Sequence, residues 1–121
     1  MNISERRKSP RVNVDFVTVE VYMEHLPSTT ELAEICTVIN LSINGMRFKS
    51  DRKFLPEQLL RLTFVLPESM IIIRSNANIV HCSEDERRKY AYGVQFIGIG
   101  KMEQKLINHF IQKTVVGEDY R

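Results

Sequence analysis

Tryptophan is absent from this chain of 121 residues, aromatic residues make up only 8% of it, and cysteine occurs twice. Cys36 and Cys82, 46 positions apart, are too few for the disulfide framework of a small secreted scaffold. A chain of this length buries enough surface on folding to need neither disulfide nor metal, so both cysteines read as reduced thiols inside strands. Long apolar runs are missing too. The strongest is Met70-Ile71-Ile72-Ile73, against the roughly 20 residues that span a bilayer, and the N-terminus is polar with no apolar leader. The expectation is a cytoplasmic protein without membrane insertion, unless a partner recruits it. Charge of one sign is scarce as well: 17 basic residues face 15 acidic ones, for a net charge of +2. Such a body lacks the basic surface that a long nucleic acid needs, and with few aromatics it lacks the stacking platforms of a single-strand-binding barrel.

The charge that is present is unevenly placed. Residues 1–11 carry Arg6, Arg7, Lys8 and Arg11 against Glu5, a balance of +3, which leaves the rest of the chain at −1. A cationic arm on a neutral body suits a small anion, and a solvated tail is the plain alternative.

Behind the arm, hydrophobic alternation predicts strands over Val12–Met23, Leu32–Leu41, Met46–Lys49, Leu59–Leu66, Met70–Cys82 and Tyr90–Ile97. Asn44-Gly45 reads as a type I′ hairpin turn, in which both central residues have positive φ. The period changes only at the end. Met102, Leu106, Ile107, Phe110 and Ile111 recur every three or four residues, which predicts an amphipathic helix over about 101–115. Six short antiparallel strands would leave exposed edges in a flat sheet. The expected fold is therefore all-β, a six-stranded antiparallel β-barrel over residues 12–121 with the C-terminal α-helix across the sheet or one mouth, preceded by a flexible arginine arm at 1–11.

Catalytic chemistry is not visible. His25, His81 and His109 have neither HExxH nor paired Cys/His spacing, so no metal site is predicted. His81 and Cys82 are adjacent on a strand, where alternation sends them to opposite faces, and structural roles are expected for both. Gly98-Ile99-Gly100-Lys101 lacks the remaining glycine spacing and the hydroxyl residue of a phosphate loop and reads as a strand-to-helix turn. The interleaved acids and bases of Ser83–Lys89 read as a solvated hairpin tip. No enzyme and no cofactor are expected.

Two elements carry functional signal together. In Arg7-Lys8-Ser9-Pro10-Arg11, proline disfavours helix at Ser9, so the two arginines lie on one side of an extended segment, about 13 Å apart. An arginine fork can donate two hydrogen bonds to a guanine edge or to phosphate oxygens, and that gap fits a dinucleotide better than a mononucleotide. In Asn40-Leu41-Ser42-Ile43-Asn44-Gly45, a spacing of two puts Asn40 and Ser42 on one strand face as hydrogen-bonding groups, while Gly45 allows a tight turn and close approach of a ligand to the backbone. Each signal alone is ordinary turn chemistry.

In combination and order they resemble the PilZ domain family, whose pattern is an RxxxR arm followed some thirty residues later by (D/N)xSxxG. Arg7, Arg11, Asn40, Ser42 and Gly45 match every specified position, and Glu5-Arg6-Arg7, Ile79-Val80-His81, Tyr92-Gly93-Val94-Gln95-Phe96 and the C-terminal helix resemble that family's layout. The resemblance implies a six-stranded barrel that binds the bacterial second messenger cyclic di-GMP, with the arm folding over the ligand. It implies that Arg7 and Arg11 grip guanine edges and phosphates, that Asn40 and Ser42 bond a guanine and its backbone, and that Gly45 keeps the turn open. Arg6, just before the motif, would favour an intercalated ligand pair by adding cation and stacking surface. Asn40 stands where many members have Asp, which keeps the acceptor and removes a charge that would oppose phosphates.

Lacking an output module of its own, such a protein would signal by ordering its arm on binding and so changing a surface read by an unidentified protein partner. The competing expectation is a module of the same fold that binds no ligand and only docks a protein.

Overall fold

Leu60, Leu62, Phe64 and Leu66 alternate with polar or exposed neighbours in one strand, and all four are at most 2% exposed. That alternation is what a strand with one buried face requires, and it sets the pattern for the molecule. The structure is a computed structural model that describes residues 12–13, 18–23, 34–56, 59–67 and 69–119. The arm bearing Arg6, Arg7 and Arg11 lies outside the described residues, as does the segment 24–33.

The chain is mostly β, a curled antiparallel sheet with one C-terminal helix. Its elements are β1 (Val12–Asn13), β2 (Thr18–Met23), β3 (Glu34–Leu41), β4 (Gly45–Ser50), β5 (Leu59–Leu66), β6 (Ile71–Glu84), β7 (Tyr90–Ile97) and α1 (Lys101–Asp119). Strand β3 pairs with β2 and β4, and the ladder continues from β2 through β5 and β6 to β7, which pairs with β4. Seven strands are described where six were expected, because the first expected strand is described as two segments. Both run along the same edge of β3, with Val12 opposite Leu41 and Thr18 opposite Thr37, a register offset of two residues.

The inner face holds one apolar cluster, which includes Val38, Leu41, Phe48, Phe64, Ile73 and Tyr92 from the strands and Ile107 and Ile111 from α1, with Leu106 and Phe110 packed against it. From Leu106 to Ile111 the helical period thus presents the face that the sequence pattern predicts, whereas Met102, expected on the same face, is exposed. Tyr92 anchors one end of this core. Its hydroxyl accepts from Phe54 N–H at 2.8 Å and donates to the Arg52 carbonyl at 2.9 Å, which ties the β4–β5 connection to β7, and burial holds the phenol above its ordinary pKa.

Strand β6 runs two residues beyond its expected end. At the β6–β7 tip, Asp85 accepts the N–H groups of Arg87 and Lys89 at 2.8 and 3.0 Å, with Arg88 at positive φ, and this local cap carries the ladder to Glu84. Gly98, at φ 66, makes the expected turn into α1. The helix itself continues four residues past its expected end, to Asp119.

Both cysteines are free. Cys36 is buried in β3, and burial pushes its thiol up to about 11, whereas Cys82 is exposed. At pH 8 a thiol reagent should titrate Cys82 at once and Cys36 only after denaturation; two fast equivalents in the native protein would contradict this burial. Because the folded-state value is raised, Cys36 contributes its full stability below about pH 9 and loses it as the pH climbs towards 11.

Candidate functional site

A cleft of about 460 Å³ opens on the outer face of the sheet, where the β3–β4 loop meets β7 and β6. Ser42, Gly45, Arg47, His81, Gly93 and Gln95 are among its lining residues. Among the described residues no Asp or Glu lines it and Arg47 is the one permanent charge, so this part of the cleft is suited to an anion.

Strand register explains how these residues meet. Asn40 lies opposite Arg47, Arg47 opposite Gly93, and Gly93 opposite His81, which makes one row across β3, β4, β7 and β6. Directly paired residues of antiparallel strands share a face. The rows on either side, Leu41–Met46–Val94 and Val38–Phe48–Tyr92, are core, so this row faces outward. Two bulges set it there. Register shifts between Val38 and Asn40 and between Ile79 and His81, so Ile39 and Val80 are extra residues. Without them, alternation from Val38 would turn Asn40 inward, and alternation from Ala77 and Ile79 would do the same to His81. A bulge re-aims the side chains that follow it, and here both deliver a polar residue to the outer row. Gly93 leaves the middle of the row bare: a Cβ there would lie 3.3 Å from the Cβ of His81.

The turn between β3 and β4 differs from the expected type I′. Among the described residues only Met70, Arg88 and Gly98 have positive φ, so neither Asn44 nor Gly45 does. Ser42 shapes the turn instead: its N–H donates to the Gly45 carbonyl at 2.8 Å, its hydroxyl also donates to that carbonyl at 3.3 Å, and it accepts Asn44 N–H at 3.3 Å. Gly45 is required by another strand. A Cβ on it would fall onto the carbonyl oxygen of Val94 in β7, so the glycine admits β7 where a ligand's approach was expected.

Asn40 and Ser42 therefore do not stand side by side on one strand face. Ser42 is 4% exposed and begins the loop beyond the end of β3, while half-buried Asn40 sits in the outer row beside Arg47 and is not a lining residue. Ser42 and Gly45 do share the cleft. Sequence reasoning missed Arg47 and His81. Arg47 follows Gly45 by two, a strand-face spacing that could have revealed it; among the described residues its buried Nε has no hydrogen-bond partner, and its guanidinium donates to Ser83 Oγ at 3.4 Å. His81 had no such signal, because strict alternation points it inward.

The N-terminal segment enters at the edge of this site. Val12 of β1 lies opposite Leu41, the residue before Ser42, so the chain leaves the described sheet at the start of the motif turn. Among the described residues, no group of three or more His, Cys, Asp or Glu could hold a metal ion, and no helix is long and apolar enough to cross a membrane.

A chain of this mostly β make-up, with its serine–glycine turn, matches a protein-family model. That model is the PilZ domain, matched over residues 5–113, and the chain belongs to this family. Among solved structures it is similar to the Bacillus subtilis inhibitor of motility MotI/DgrA, with 19% identity and a TM-score of 0.75, covering 93% of this chain and 52% of that one. The PilZ domain of Escherichia coli YcgR with c-di-GMP gives 12% identity and a TM-score of 0.67 over 89% and 90% of the two chains. The K. pneumonia MrkH–c-di-GMP complex gives 13% and 0.73, over 94% and 53%. This chain thus spans about half the length of MotI and MrkH. Comparison with curated proteins finds no match.

Proposed function

We propose that this protein is a receptor for cyclic di-GMP that acts by binding, without catalysis. One observation carries the reading: β1, which follows the arginine half of the motif in the sequence, pairs with the end of β3 that leads into the other half. Val12, the residue after Arg11 in the sequence, lies opposite Leu41, which directly precedes Ser42 of the cleft lining. In the chain Arg11 stands 29 positions before Asn40, and the β1–β3 pairing supports a reading in which Arg7 and Arg11 act together with Asn40, Ser42 and Gly45. The cleft volume lies within the usual range for small-molecule sites.

In this reading the dinucleotide lies along the outer row. Arg7 and Arg11 close over it, grip a guanine edge and the phosphodiesters, and Arg6 adds cation and stacking surface for a second, intercalated ligand. Asn40 offers hydrogen bonds, Ser42 and Gly45 hold the turn that forms the rim, and Arg47 supplies a cation fixed on the sheet. The strand pairings, which return from β7 through β4 to β3, support a barrel of six strands as the platform. Part of the binding energy offsets the entropy of ordering the arm, and the closed face is the surface a downstream protein reads. Relatives with c-di-GMP bound to YcgR and MrkH support the ligand.

The test is isothermal titration of the purified protein with cyclic di-GMP at near-physiological salt, beside GTP and an Arg7→Ala variant. Saturable heat is expected with the dinucleotide only, with affinity falling about 30-fold or more in the variant, as removing one partner of a charged hydrogen-bonded pair costs about 2–5 kcal/mol. No heat, with an unchanged NMR spectrum, would overturn the reading in favour of a protein-docking module.

A further inference from the structure

We propose that His81 makes ligand affinity depend on pH, so that the site binds its dinucleotide more tightly as the surroundings acidify. The inference rests on the receptor reading above and assigns that same site a regulator. Four observations carry it. His81 lines the cleft. The Val80 bulge turns it outward, into the row that also holds Arg47. Gly93, directly opposite, has no side chain to stand between His81 and an occupant of the cleft. Finally, among the described residues the lining contains no carboxylate that could neutralise an imidazolium, so an anionic ligand would be its counter-charge.

The described groups around His81 on β6, β7 and β4 are consistent with that sign. Across β7 the outer-face positions nearest to it are Gly93, Gln95 and Ala91, none of them charged; beyond them on β4 stand Arg47 and Lys49. On its own strand the titratable neighbours are Cys82, which lies opposite the core residue Tyr92, and Glu84, opposite Tyr90, both in rows of the other face. Imidazole is the side chain that gains its proton between about pH 8 and pH 5. Two phosphodiesters seated in the cleft beside the ring would favour that proton. Protons are therefore taken up on binding, and affinity must rise as pH falls. Neither a phosphodiester nor guanine titrates in the same interval.

Isothermal titration of the full chain with cyclic di-GMP at pH 6.0, 7.0 and 8.0 and constant ionic strength tests this. The expected affinity is about three- to tenfold tighter at pH 6.0 than at pH 8.0, with proton uptake at pH 7.0 visible as a dependence of the heat on buffer ionisation enthalpy. His81→Gln should bind as the parent does at pH 8.0, with a flat pH profile and no proton uptake. His81→Lys, cationic throughout, should bind tightly and equally at all three values, while His109→Gln, an exposed helix substitution, should keep the parental slope. A flat parental profile, or a parental slope retained in His81→Gln, would overturn the inference and leave the receptor reading standing. Absence of binding at every pH would overturn both.

Discussion

Gly45→Ala is expected to destabilise the protein by about 3 kcal/mol, the upper range for forced overpacking. The added methyl would meet the Val94 carbonyl oxygen. Unlike a flexible side chain, a backbone carbonyl cannot swing aside, so β4 and β7 must separate locally. That movement strains the Gly45–Gln95 pairing and the bond from Phe96 N–H to the Asn44 carbonyl, which is 2.8 Å long. The same movement distorts the Ser42 turn, so ligand affinity should fall with stability. Urea denaturation reads the effect as a midpoint lower by roughly 1–2 M at the m-values usual for small domains. Gly98→Ala supplies the contrast. Its φ of 66 penalises any side chain by about 1–2 kcal/mol, but a Cβ there meets no atom within 4 Å. If Gly98→Ala proves the more damaging of the two, close approach to β7 is not what selects Gly45.

Arg47→Met should separate stability from binding. Methionine keeps an apolar stem opposite Gly93 and removes the guanidinium, whose buried Nε has no partner among the described residues and whose hydrogen bond to Ser83 is long, at 3.4 Å. Deleting an unpaired buried polar group is neutral or stabilising, so the thermal midpoint should hold or rise by a few degrees. Cyclic di-GMP affinity should fall about 30- to 100-fold, which corresponds to the roughly 2–3 kcal/mol of a hydrogen bond to a charged group. The two opposite signs mark a residue kept for its ligand at some expense of stability. A variant that melts several degrees lower and binds normally would show instead that Arg47 is a packing residue.

Much of the fold was legible before the structure. Strands β5 and β7 have the bounds that alternation predicts, Leu59–Leu66 and Tyr90–Ile97, and α1 begins at Lys101 where the period changes. These features are local: burying one face of a strand or helix forces a period of 2 or 3.6 that survives in the residue order. The five motif positions stand in the sequence as residue types at fixed spacing, and the structure describes three of them, Asn40, Ser42 and Gly45.

What was not legible depends on neighbours distant in the chain. Asn44-Gly45 has the composition of a type I′ turn, but the glycine answers to Val94, some fifty residues away, and the turn takes another form. Asn40 and Ser42 keep their spacing of two without sharing a face, since the strand ends between them.

The sequence by itself determined a mostly β chain with a C-terminal helix, a cationic arm and a two-part motif, because composition and period are properties of the residues in order. Only the tertiary structure decided that Ile39 and Val80 bulge, that Arg47 and His81 share an outer row with Asn40, and that β1 begins beside the motif turn. A bulge adds one residue without altering composition, yet it reverses the face of those that follow, and which face is open is settled by the strands that pack alongside.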